Sequence, residues 1–172
     1  MIELTPFKLT PLGLFHTLLS LAGVGLALAA LYRNRRVDAG TTIGRAYLAS
    51  VLLTTVTGLP IFRHGAVTPP HILGVLTLLA LAALAIARTT RWLGPASAYV
   101  ETASGSATVL LMLIPTVTET LTRVPPSAPV AAGPDSPVVV GLSMLLIVVF
   151  LVAVSWQLRG LRVSRAPRAA VA

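Results

Sequence analysis

Residues 12–36 read LGLFHTLLSLAGVGLALAALYRNRR, an apolar run closed by a cluster of arginines. The run 12–32 is 21 residues long and contains one histidine, His16, and no formal charge. About 20 such residues, wound as a helix, cross the roughly 30 Å hydrocarbon layer of a bilayer. A secretory signal is the competing reading, because Lys8 precedes the run and Ala27-Leu28-Ala29 resembles a cleavage site. The run exceeds the roughly 7–15 residues of a signal core, however, and Arg33, Arg35 and Arg36 hold its far end in the cytoplasm. The segment reads as a retained helix.

Composition extends this reading to the whole chain. Of its 172 residues 55% are hydrophobic and 10% charged, with a mean hydropathy of +0.88; soluble domains carry about 25% charged residues. The net charge of +8 comes from short basic clusters set between apolar stretches. That pattern suits membrane orientation and argues against a nucleic-acid partner. Cysteine is absent, which excludes disulfides, thiolate metal sites, iron–sulfur clusters and cysteine nucleophiles.

Five spans follow, at about 12–32, 45–62, 72–89, 97–114 and 138–158. In lipid each is a helix, since an isolated strand leaves its backbone groups unpaired. The expected architecture is an all-α membrane protein: a five-helix bundle over 1–158 and a basic cytoplasmic tail over 159–172 that contacts anionic lipid. With five spans, ten of the 13 basic residues fall on one side, leaving Lys8, Arg63 and Arg123 on the other. The richer side is the cytoplasmic one, so the N-terminus is expected outside and the C-terminus inside, in the cell inner membrane. Pro69-Pro70 and Gly94-Pro95 punctuate helix starts. The proline-rich stretch 124–137 reads as an extended outer loop.

Polar residues inside the spans are few enough to enumerate. Gly23, Ala27 and Ala30, and Gly25 with Ala29, permit close helix approach. Glu101 heads a stripe with Ser104, Gly105 and Thr108 at i+3, i+4 and i+7. Its simplest role is an ion pair with Arg91, Arg45 or Arg88, and no further carboxylates continue a proton path. At the outer ends this topology gathers His16, His64, His71 and Glu119, with Glu119 and Arg123 in i,i+4 order. Imidazole binds haem iron or a divalent metal, so His16 and His71 are the candidate cofactor ligands, and His16, His64, His71 and Glu119 the candidate metal set. The bland alternative is local: loop histidines, and a His16 hydrogen-bonded across the bundle to Thr57 or His71. No HExxH motif supports the metal reading.

The stretch Gly44-Arg45-Ala46-Tyr47-Leu48 and the helix opening His71-Ile72-Leu73-Gly74 resemble a family of small multi-pass bacterial membrane proteins classed as a domain of unknown function. The resemblance covers roughly the first three helices and implies no activity. A histidine often found before Gly-Arg in that family is replaced here by Thr42-Ile43.

Function therefore ranks by exclusion. A non-enzymatic binding, accessory or scaffold protein comes first, its partners being membrane lipid and a membrane protein or second copy. A haem- or metal-binding redox protein with an outer-leaflet histidine site is the alternative, and a small transporter is third. A hydrolase is last, since no Ser/His/acid arrangement is legible.

Overall fold

The computed structural model describes residues 10–61 and 68–165, with side chains through Arg162. Five α-helices follow in order: α1 Pro11–Asn34, α2 Thr42–Gly58, α3 Pro69–Thr89, α4 Ser97–Arg123 and α5 Pro137–Arg165. A single 3-10 turn, Gly94–Ala96, leads into α4. No strand occurs among the described residues. Four helices, α1, α3, α4 and α5, are long and apolar enough to cross a membrane. α2, with 17 residues, is about 26 Å long at 1.5 Å per residue. It begins before the expected residue 45 and stops at Gly58, where Pro60 removes the donor that would continue the helix.

Local chemistry sets the ends. Thr10 caps α1 by accepting from Gly13 N–H at 3.0 Å. Arg35 terminates α1 in the left-handed region, at φ 59°. Thr41 accepts from Gly44 N–H at 3.0 Å and donates to the Asp38 carbonyl at 2.9 Å, starting α2 only a few residues later. α4 passes through Pro115 to Arg123, beyond the expected span end at residue 114. The hydroxyls of Thr116 and Thr118 bond the Met112 and Ile114 carbonyls there, at 2.7 and 3.0 Å, so these two side chains are satisfied within their own helix. α5 likewise continues through Arg159 and Arg162 to Arg165, so the basic stretch after Leu158 is helical at first; no proline intervenes before Pro167.

α4 is the central element, packing on α3, α5 and α1, while α1 packs along α2 and α2 on α3. Its buried face is Thr102, Gly105, Ser106, Thr108, Val109 and Met112. Ala27, Val37, Tyr47 and Val51 complete the core around it. The α1–α2 loop belongs to that core, because Val37 lies against Gly105, where an added Cβ would come within 3.1 Å. The 124–136 connection is not simply extended. Ala131 is buried and donates back to the Leu121 carbonyl at 2.9 Å, folding the loop against the end of α4.

Burial is inverted relative to a water-soluble bundle. The interior is rich in Gly, Ala, Ser and Thr, whereas Leu18, Leu21, Leu28, Leu79, Val148 and Val152 are among many large apolar side chains facing outward. Of the small residues on α1, Gly23, Ala27 and Ala30 are buried, but Gly25 faces open space.

Candidate functional site

Two of the three histidines, His16 and His71, fall among the described residues. His16 Nδ1 lies 3.0 Å from the Thr54 carbonyl and 3.3 Å from Thr57 Oγ1. A carbonyl only accepts, so Nδ1 carries the proton and Nε2 keeps its lone pair. The ring fits because α2 offers Gly58 beneath it: an added Cβ would fall 2.7 Å from His16 Cε1. The partner is thus chiefly the α2 backbone, with Thr57 secondary, and His71 is engaged elsewhere.

His71 is buried at the third position of α3. Its Nδ1 accepts from Thr68 N–H at 3.2 Å and lies 2.9 Å from Thr68 Oγ1. This is a capping box in which imidazole does the work usual for Glu or Gln. With Nδ1 accepting, a neutral ring holds its proton on Nε2. Metal or haem ligation through Nε2 would move that proton to Nδ1 and break the cap.

Glu119, half exposed, pairs with Arg123 one turn on. His64 lies outside the described residues. Among the described residues no three His, Asp or Glu side chains form a group that could hold a metal ion. Of the set His16, His64, His71 and Glu119, the structure places His71 in a helix cap and Glu119 in an ion pair, while His16, held through Nδ1 on the Thr54 carbonyl, keeps Nε2 uncommitted.

The end of the bundle that holds the α1–α2 loop carries two further ion pairs. Of the three arginines available to Glu101, Arg88 takes it, Nη1 to Oε1 at 2.9 Å. Asp38 accepts from Gly40 N–H at 2.7 Å and from Arg36 Nη2 at 3.2 Å. The Gly40 N–H above all, helped by Arg36, holds this carboxyl below the usual carboxylate range, against the opposing effect of burial.

Deeper in the bundle, Thr108 donates to the Gly105 carbonyl at 2.7 Å, which uses its one proton. Tyr47, fully buried, therefore donates to Thr108 Oγ1 across 3.1 Å. Ser104 is only half buried, so the stripe headed by Glu101 narrows inward to Gly105 and Thr108.

Three elements meet at Gln157, a residue sequence reasoning passed over. Ser106 Oγ donates to its Oε1 at 2.6 Å, and its Nε2 donates to the Arg35 carbonyl at 2.9 Å. The amide thereby ties α4, α5 and the end of α1. A polar residue two positions before Arg159, at the end of an apolar span, was the available signal; its partner, a helix-terminal carbonyl, has no sequence signature. An open cleft of about 450 Å³ lies beside this clasp, with Arg35, Arg36, Asp38 and Trp156 in its wall.

No protein-family model matches the chain, and neither a curated protein nor a solved structure matches it.

Proposed function

We propose that the chain is a five-span integral membrane protein, N-terminus outside and C-terminus cytoplasmic, that acts as a non-enzymatic binding, accessory or scaffold protein. The inverted burial carries this reading: small and hydroxylated residues inside, large aliphatic residues outside. Soluble monomers rarely expose contiguous apolar surface of that extent, whereas lipid accepts it. The orientation rests on the ten-to-three division of basic residues. The non-enzymatic part is supported by how the interior polar groups are spent. Tyr47 with Thr108 and Ser106 with Gln157 satisfy one another across helices, and Arg88 pairs with Glu101 at the exposed end of the same face. The resemblance over the first three helices, to multi-pass bacterial proteins, points the same way.

Reporter fusions test the topology. A reporter placed after Arg168 is expected to read cytoplasmic, and one inserted beside Ala131 external; the same side for both would refute five spans. An absorption spectrum and metal analysis of the detergent-purified protein test the second half. A haem Soret band or a stoichiometric metal would replace the scaffold reading with a redox one.

A further inference from the structure

We infer that the cleft between the end of α1 and the last turns of α5 is a binding site for the phosphate of an anionic phospholipid. The inference rests on the membrane reading above and gives its lipid partner a place on the chain. The cleft's volume of about 450 Å³ falls within the roughly 300–1,000 Å³ of small-molecule sites.

Its wall has the chemistry of a headgroup pocket. Arg35 and Arg36 supply guanidinium groups, which match phosphate oxygens through paired N–H donors. Asp38 also lies in the wall, but its carboxylate is already held by Gly40 N–H and Arg36, so Arg35 leaves the cleft net positive. The Arg35 backbone is held. Its left-handed conformation ends α1, its N–H bonds the Leu31 carbonyl at 3.0 Å, and its own carbonyl is held by Gln157. The exposed side chain thus starts from a set point on the cleft wall and orders on binding, at the usual side-chain cost.

The neighbouring surface accounts for the rest of a lipid. Trp156 is exposed at the rim, where indole rings sit at headgroup level. Above it α5 presents Val148, Val149, Leu151 and Val152 outward, and its one extensive contact is with α4. An acyl chain lying along α5 would place its phosphate at the cleft. A free phosphate ion would use the guanidinium groups but leave this apolar face unused, so the lipid is the occupant assigned.

Native mass spectrometry of the full chain, purified in detergent and offered equal phosphatidylglycerol and phosphatidylcholine, tests this. Wild type is expected to retain one phosphatidylglycerol in preference to phosphatidylcholine. Arg35→Gln should lower that retention about fivefold, the scale of one basic residue at an anionic surface. Arg35→Lys should restore most of it, and Arg91→Gln, exposed in the α3–α4 connection and outside the cleft wall, should change it little. Equal retention of the two lipids, equal loss in Arg35→Gln and Arg91→Gln, or displacement by millimolar inorganic phosphate would each overturn the site. An inserted chain that fails these tests still leaves the membrane reading standing. A chain that alkaline carbonate strips from membranes removes that reading, and the site with it.

Discussion

Asp38 and Gly23 show how much single positions decide here. The Asp38 carboxyl is held low by the Gly40 N–H and then by Arg36, so its titration midpoint should lie below the roughly 3.9 of an unperturbed aspartate. A depressed folded-state value contributes stability that is full above the ordinary value and is lost as pH falls through the lower one. Carboxyl NMR shifts followed through acid pH will read the midpoint directly, and Arg36→Gln should move it upward. A midpoint at or above the ordinary value would contradict the contacts described. Gly23 is a matter of space. An added Cβ would come within 2.8 Å of Met112 Cε and 2.9 Å of Ser50 Oγ, whereas at Gly25 nothing lies within 4 Å. Gly23→Leu should therefore lose about 1–3 kcal/mol through overpacking, and Gly25→Leu close to none. Thermal unfolding of both variants in one detergent makes the comparison; equal losses would mean that α1 packs by another face.

Among the elements, α3 carries the sharpest test of what a histidine is for. His71 accepts the Thr68 N–H, a role that Gln can take over in a capping box. His71→Gln should keep near-native stability, while His71→Ala should lose about 0.5–2 kcal/mol, the usual range for a lost cap. A metal or haem ligand would fail in both variants, so a Gln variant as unstable as Ala would reopen the ligand reading. The elements also show where sequence reasoning reaches and where it stops. Helix existence was legible because apolar length and proline punctuation are local properties, as in α1 and α3. The run of α4 past Pro115 was legible too, since Glu119 and Arg123 stand in i,i+4 order there and pair on a helix that ends at Arg123. For His16 the sequence favoured a bundle partner, Thr57 or His71, over a metal; the Thr54 carbonyl beside Nδ1 is a backbone partner with no sequence signature. Glu101 was nearer to legible, since its candidate arginines were few, but the choice of Arg88 needed the α3–α4 packing.

Across the whole molecule, α5 stands apart from the rest. It is the most apolar of the four candidate spans and the least buried, and it packs extensively on α4 alone. A helix of this kind inserts on its own hydropathy and then associates through packing and interhelical hydrogen bonds, because lipid supplies no hydrophobic drive between helices. The association here combines the buried Val139 and Val154 with the Ser106–Gln157–Arg35 chain. The loop before α5 is exposed over 124–130, so a break between Pro126 and Ser127 interrupts no contact that buries either residue. Co-expressed pieces 1–126 and 127–172 should therefore reassemble in the membrane and copurify on a tag carried by one of them. Gln157→Leu removes the clasp while keeping a side chain of similar size. Intramembrane hydrogen bonds contribute about 0.6 kcal/mol on average, so recovery of the second piece should fall about threefold. Gly141→Ala, where an added Cβ meets nothing within 4 Å, should leave recovery unchanged. Pieces that never copurify would show that α5 is held mainly by its covalent link, and unchanged recovery with Gln157→Leu would show that packing along α4 suffices without the clasp.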